Sequence, residues 1–364
     1  MKSIMKKILI VDPYLDVFGG GEKHILSIGK VFEKHGYEVS LFWNDEEILT
    51  QLSETLKIDT SSFTIEKENR KGEGYDVLLY VTDGSYYIPK AKKNYVFCMY
   101  PQKTIYARSL LNKVKWRGWD FFANSEFTAG YISKWVGKKT GVLHPFIEDA
   151  IFDAYSPINK KEKVILSVGR FFRHLHAKNQ HLLVEAFNSL QSRHSEFEDF
   201  KLVLVGSVKK EDEEYFEEVK LLAQKNKNIV LVKNASYSEW LQHYKTSLFY
   251  WHAAGLEANL NEHPEATEHL GISVLEAMIA GCITFAHNSG GPKETIENGK
   301  TGFLYDTLEE LVRKTAEMNS ASSTLQEIST AAKEYGEQNF SSEGFKRKVE
   351  EYFKLDGDPS LRSG

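Results

Sequence analysis

The sequence predicts an α/β chain folded as two Rossmann-like domains, and three observations carry that prediction. Nearly continuous apolar runs of strand length recur, as at Lys7–Val11, Val77–Val81, Val164–Val168 and Lys201–Val205, and such runs suit strands covered on both faces in a parallel sheet. Helix-like amphipathic stretches follow the runs, the alternation that builds β-α-β units. The 364 residues suffice for two cores of ordinary size. No internal repeat is visible, although both halves share the β-α-β plan. A polar stretch running to Glu162 sets the hinge near 150–160. The expected division is 1–155, then 156–340, a returning helix over 341–354, and a disordered tail over 355–364.

Composition narrows the function. The chain is 41% apolar and 27% charged, with a formal charge of −5, which speaks against nucleic acid as a partner. Cys98 and Cys282 both lie in apolar runs, as buried thiols of a reducing compartment do. The apolar run Ile8–Val11 is too short for a signal peptide, and no segment reaches the roughly 20 residues of a membrane span. The expected localisation is cytoplasmic, with peripheral contact at the inner membrane face as the variant.

In the first half, Lys7–Val11 reads as a strand that ends at Asp12-Pro13. Gly19-Gly20-Gly21 then leads into a helix, Glu22–His35, with Ile25, Leu26, Ile28, Val31 and Phe32 on one side. Glu38–Trp43 is the next strand. The three contiguous glycines do not make the G-x-G-x-x-G of a nicotinamide dinucleotide site, so a dehydrogenase is disfavoured. Val77–Val81 ends in Thr82-Asp83-Gly84-Ser85, and Asn94–Met99 ends in Tyr100-Pro101-Gln102. Ligands of open α/β sheets bind beyond the carboxyl ends of strands, which makes Asp83, Ser85, Tyr100 and Gln102 candidates for a binding cleft. Leu110–Trp119 mixes lysines, an arginine and two tryptophans. An ordinary solvated helix with two half-buried tryptophans is preferred there over a membrane-facing one. Phe121–Thr128 gives a strand and a helix cap at Asn124 or Ser125.

In the second half, Val164–Val168 is followed by Gly169-Arg170, then by Lys178 and a helix over His181–Ser192. Arg170 and Lys178 are two fixed cations at the lip of a strand–helix turn, able to neutralise a departing diphosphate. The intervening His174 and His176 have no carboxylate or Cys nearby in sequence, so no metal site is assigned to them. Strands at Lys201–Val205, Ile229–Val232 and Leu248–Trp251 follow, with a short helix over Tyr237–Tyr244. His252–His263 is read as a long loop. The last helices are Leu308–Met318, Ser323–Tyr335 and Ser342–Phe353, the final one bearing Phe345, Val349, Tyr352 and Phe353 on one stripe.

The most informative stretch is Pro264–Leu304. Glu268 and Glu276 bracket a turn at Gly271, which opens an apolar helix, Ile272–Ile279. A strand, Ile283–Ala286, and the loop Asn288-Ser289-Gly290-Gly291-Pro292 follow. Amides in a first helical turn lack intrahelical acceptors and form a ready anion site. Glu276, one turn further in, would be repelled by a diphosphate and so suits sugar hydroxyls. The order Pro264, Glu268, Gly271-Ile272, Glu276-Ala277-Met278, Ala280-Gly281, Gly290-Gly291, Glu294, Asn298-Gly299, Thr301-Gly302-Phe303-Leu304 resembles the donor-site signature of the retaining glycosyltransferases of family four, which have the GT-B fold.

That resemblance covers nearly the whole chain. It implies two Rossmann-like domains with a cleft between them, and transfer of a sugar from a nucleoside diphosphate donor to a hydroxyl of a glycan or lipid-linked acceptor. The anomeric configuration is retained, and no cofactor or metal is required. Glu268, Arg170 and Lys178 take the catalytic roles. Gly19, Gly20, Gly169, His269, Gly271, Ile272, Ser273, Val274 and Glu276 fall to the donor, with Glu276 on the ribose. Lys233 and Asn234 stand where the family's strand ends face the base. Arg170 and Lys178 resemble the family's Gly-Arg…Lys-Gly element, spaced wider by about three residues. Phe97-Cys98-Met99-Tyr100-Pro101 departs from the family, because many relatives carry a histidine there that helps to position the donor sugar. Glu268-His269-Leu270-Gly271-Ile272 is similar to mannosyltransferases acting on lipid-linked glycans, which leans the donor toward GDP-mannose. The competing readings are a non-catalytic nucleotide-sugar-binding subunit and a GT-B phosphorylase or epimerase. Oligomeric state is left open.

Overall fold

The computed structural model describes residues 5–173 and 177–355. His174, His176 and the tail beyond Leu355 lie outside the described residues. The chain divides into two units: one runs to Phe146 and takes in the chain from Glu343, and the other is Ile147–Ser342.

The first unit contains β1 (Lys6–Val11), α1 (Gly20–Lys34), β2 (Tyr37–Phe42), α2 (Glu47–Leu56), β3 (Thr64–Glu66), β4 (Val77–Val81) and β5 (Lys93–Cys98). It continues with α3 (Leu110–Trp116), β6 (Asp120–Ala123), α4 (Glu126–Val136) and β7 (Thr140–Val142). The sheet order is β3-β2-β1-β4-β5-β6-β7, with every pair parallel. Ile8 and Ile10 of β1 pack against Ile25, Ile28 and Phe32 of α1, and the last helix, Ser342–Phe353, adds Phe345, Val349 and Phe353 to the same core. Helix α1 starts two residues earlier than the sequence suggests, because the Glu22 carboxylate accepts the Gly19 N–H at 2.5 Å and makes Gly19 the cap. The tryptophans correct another expectation. Trp116 and Trp119 are 2% and 1% exposed, not half-buried. Trp116 meets the rings of Tyr86 and Phe121, and the Trp119 indole N–H donates to the Tyr87 carbonyl at 2.9 Å.

The second unit runs α5 (Asp149–Asp153), β8 (Glu162–Val168), α6 (Gln180–Arg193), β9 (Lys201–Gly206), α7 (Glu213–Ala223), β10 (Ile229–Lys233) and α8 (Tyr237–Thr246). After these come β11 (Ser247–His252), α9 (Ile272–Ile279), β12 (Ile283–His287), α10 (Pro292–Thr295), β13 (Phe303–Tyr305), α11 (Leu308–Asn319) and α12 (Ser322–Phe340). Its sheet is also parallel throughout, in the order β10-β9-β8-β11-β12-β13. Strand β11 is one residue longer at its end than the apolar run implies. His252, expected to open a loop, pairs with Ala286 as the last residue of the strand.

Both sheets are doubly wound, so each has one point where the strand order reverses. In the first unit that point lies between β1 and β4, and in the second between β8 and β11. Ligands of such sheets bind beyond the strand ends at that crevice, where the flanking loops part to opposite faces. The two free thiols, Cys98 and Cys282, are buried.

Candidate functional site

At the reversal point of the second unit, two side chains from separate parts of the sequence converge on one carboxylate oxygen of a third. The Lys178 ammonium and His252 Nε2 both meet Oε2 of Glu268, His252 at 3.0 Å. Lys178 comes from the loop after β8, and its stem lies over Gly169, where a side chain would collide with Lys178 Cγ at 2.6 Å. His252 comes from the end of β11 and is 1% exposed, while the Lys178 and Glu268 side chains are 12% and 13% exposed. Burial holds His252 below the ordinary imidazole range, against the pull of the Glu268 carboxylate. The ring is therefore neutral at neutral pH and its Nε2–H donates to Glu268. Nδ1 is left buried and without a hydrogen-bond partner among the described residues.

Backbone geometry fixes Glu268 from the other side. The Gly291 N–H donates to the Glu268 carbonyl at 2.8 Å, and Gly290 adopts φ 60° with no room for a side chain, since a Cβ would fall 2.1 Å from that same carbonyl oxygen. A buried hydroxyl pair, Thr267 Oγ1 and Ser289 Oγ at 2.7 Å, staples the two loops together. Gly271, at φ 90°, is the residue before α9. The first intrahelical bond there runs from the Leu275 N–H to the Gly271 carbonyl, at 3.0 Å, so the amides of Ile272, Ser273 and Val274 have no intrahelical acceptor. His269 Nε2 lies 3.1 Å from the Glu265 carbonyl, which ties the loop down just ahead of that turn.

Glu276 lies one turn inside α9, half-buried, and the fully buried Tyr244 donates its O–H to Glu276 Oε2 at 2.8 Å. Arg170 is placed differently from the lysine. Its Nε donates to Asp212 at 2.7 Å and its Nη2 to Glu211 at 2.9 Å, so its charge is already matched by carboxylates next to α7. Lys233 pairs with Glu213 at 2.5 Å and stands over the Phe216 ring. Asn234, at φ 54°, spends its side-chain oxygen on the Val208 N–H at 3.0 Å and so closes the turn after β9.

In the first unit, Asp83 accepts bonds from the Tyr80 and Ser85 hydroxyls, and from the Ser85 N–H at 2.9 Å. Arg70 stands 3.8 Å from Asp83 and faces the rings of Tyr80 and Tyr87. Tyr100 is hydrogen-bonded to Tyr14, and both feel the Asp83 charge. Gln102 is half-buried in the turn just beyond, its N–H bonded to the Tyr100 carbonyl at 3.1 Å. Gly19 caps α1 and Gly20 opens it, and the next glycine, Gly21, faces Met99, whose sulfur leaves no space for a Cβ. Asp12 follows β1 at this reversal point, 1% exposed, with Oδ2 unpartnered among the described residues. Burial, with the Glu22 charge second, pushes its carboxyl up to about 7.

Sequence reasoning missed His252, Tyr244, Asp12 and Arg70 as site residues. Only Asp12 carried a usable signal, an acid at the end of an apolar strand run. Among the described residues no group of three or more His, Cys, Asp or Glu side chains is placed to hold a metal ion.

Two doubly wound parallel sheets in one chain define the GT-B class, and solved structures share the fold. The glycosyltransferase from Rickettsia africae ESF-5 superposes with TM-score 0.72 at 17% identity, covering 98% of this chain and 100% of that one. HepE from Anabaena, solved with UDP and glucose, gives TM-score 0.67 at 17% identity over 96% and 99%. Within that class, residues 149–335 match the family model for glycosyl transferases group 1, and the chain belongs to that family. Among curated relatives, the GDP-Man:Man(3)GlcNAc(2)-PP-Dol alpha-1,2-mannosyltransferase of Mus musculus is 32% identical over 202 residues, 51% of this chain and 38% of the mouse protein. The alpha-1,3/1,6-mannosyltransferase ALG2 of Rhizomucor pusillus is 30% identical over 211 residues, 50% and 45% of the two chains. The matches thus span less than half the length of either relative.

Proposed function

We propose that the chain transfers a hexose from a nucleoside diphosphate sugar to a hydroxyl of a lipid-linked glycan, with retention and without a metal ion. Mannose on GDP is the first candidate donor, by likeness to the two mannosyltransferases. The observation that carries the reading is the convergence of Lys178 and His252 on Glu268 beside the open first turn of α9.

Each group has a task there. The amides of Ile272, Ser273 and Val274 receive the diphosphate, whose charge the helix dipole complements. Lys178 exchanges Glu268 for a phosphate oxygen and stabilises the leaving group as the glycosidic bond lengthens. Glu268, still held by His252, offers Oε1 to hydroxyls of the donor sugar and negative charge to the developing oxocarbenium ion. Glu276, oriented by Tyr244, binds the ribose. Arg170 keeps two nitrogens on Asp212 and Glu211 and turns Nη1 toward the diphosphate. Lys233 and Asn234 offer backbone groups to the base. Asp83, Ser85, Tyr100 and Gln102 receive the acceptor.

Incubating the pure protein with GDP-mannose and with UDP-, ADP- and dTDP-sugars tests this. Slow release of nucleoside diphosphate from one of them, unchanged by EDTA, is the expected result. Lys178→Ala should lower kcat roughly 100-fold to 1,000-fold, and Glu276→Ala should raise the donor KM about tenfold or more. The lack of a histidine in Phe97-Cys98-Met99-Tyr100-Pro101 favours one rival, a subunit that binds the nucleotide sugar without turning it over. Tight donor binding with no turnover under any condition selects that rival.

A further inference from the structure

We propose that the outer face of α3 docks the first unit onto an anionic lipid surface. Helix α3 is anchored by one side chain, Trp116, while Leu110, Leu111 and Val114 are 82%, 74% and 52% exposed. Positions 110, 111 and 114 share one side of a helix. Three large apolar side chains in so short an element are costly to leave in water.

Charge singles out the occupant. From Pro101 to Trp119 there are five cations, Lys103, Arg108, Lys113, Lys115 and Arg117, and no Asp or Glu, in a chain whose formal net charge is −5. None of the five forms an ion pair among the described residues, and Lys103, Arg108, Lys113 and Arg117 are exposed. Leucines that enter the acyl boundary, ringed by lysine and arginine at headgroup level, are the chemistry of an interfacial helix. A second copy fits poorly, because a two-fold contact sets each patch against itself and opposes ten like charges. A protein partner is disfavoured as well, since three side chains fall far short of the roughly 800 Å² per side that a stable interface buries.

The patch also adjoins the Asp83 cluster. The loop carrying Asp83 and Ser85 packs on Ile105, where a Cβ on Gly84 would lie 3.5 Å from the Ile105 Cα, and Tyr106 donates to the Tyr100 carbonyl at 3.4 Å. Docking through α3 would bring a lipid-linked acceptor's headgroup toward Asp83 and Tyr100. That last placement rests on the proposed function, whereas the docking does not.

Co-sedimentation with vesicles of phosphatidylcholine, alone or with roughly 40 mol% phosphatidylglycerol, tests the proposal. The protein should sediment with the anionic vesicles only, and less so as salt rises from about 0.1 M to about 0.5 M. The Leu110→Glu/Leu111→Glu double variant should lose at least about tenfold in partitioning with its Tm unchanged, and Lys113→Ala/Arg117→Ala should fall between. Absence of wild-type binding to anionic vesicles, or equal binding by the glutamate variant, overturns the proposal. So does a dimer that the glutamate variant splits in sedimentation equilibrium. No donor is present in these measurements, so their failure leaves the transferase reading standing, and an inactive protein can still pass them.

Discussion

At the scale of single residues, the proposed chemistry depends on how one carboxylate is shared. Glu268 Oε2 is held by Lys178 and His252 together, and a ligand that draws Lys178 away leaves the imidazole as the remaining hold. His252→Leu removes the donor to a mostly buried carboxylate and should cost about 1.5–3 kcal/mol of stability, whereas His252→Gln, whose amide N–H reaches the same place, should restore most of it. Thermal unfolding of both variants beside Glu268→Gln gives the comparison; equal losses in the two histidine variants would refute the hydrogen bond. Asp12 governs a pH dependence. Its folded carboxyl titrates near 7 against an ordinary 3.8, raised by burial and by Glu22 and Asp16. Between those values the folded state keeps a proton that the unfolded chain has released, so stability falls as pH rises and is fully present only below the lower value. Asp12→Asn cannot ionise, so its Tm relative to wild type should climb from about pH 4 to about pH 7 and level off above that. A pH-independent difference would refute the buried acid. Of the two, only Asp12 left a trace in the sequence, as an acid at the end of an apolar run, and its shifted titration was not legible there. The apolar run before His252 stops at Trp251, and the burial that perturbs Asp12 is a property of the packed unit.

At the scale of elements, the loop after β12 exists to grip the loop before α9. Gly290 at φ 60° touches the Glu268 carbonyl, and the Gly291 N–H bonds to it at 2.8 Å. Gly290→Ala adds a left-handed strain and a collision with backbone, which should cost about 2–4 kcal/mol and raise the donor KM. Calorimetry and donor titration read the two effects, and a variant as stable as wild type would show the loops to be independent. The glycine-bearing loop itself was legible in the sequence, but its grip on the Glu268 carbonyl was not, because which backbone a glycine approaches is set by how the two loops pack. Helix α2, strand β3 and helix α7 were not picked out. Strand β3 has only three residues, two of them half-exposed, and α7 carries four glutamates and one lysine among its eleven residues, so its apolar stripe is thin.

At the scale of the whole molecule, the first unit is completed by the end of the chain. Phe345, Val349 and Phe353 are 4%, 0% and 2% exposed in the core built around β1 and α1. Removing the chain from Ser342 onward strips about 5–9 kcal/mol of apolar burial, comparable to the net stability of a domain. Such a truncation should leave the second unit folded and the first open to limited proteolysis; a truncated protein whose first unit resists protease would refute the dependence. The sequence by itself determined the alternating α/β plan, the apolar strand centres and the signature from Pro264 to Leu304, because strand burial, glycine conformation and helix-terminal amides are local properties. Only the tertiary structure decided that Lys178, Glu268 and His252 meet, that Arg170 is held by Asp212 and Glu211, and that α3 turns its tryptophan inward and its leucines out. Those outcomes depend on which strands become neighbours and on which charges a side chain finds within reach, and a parallel sheet joins residues that lie far apart along the chain.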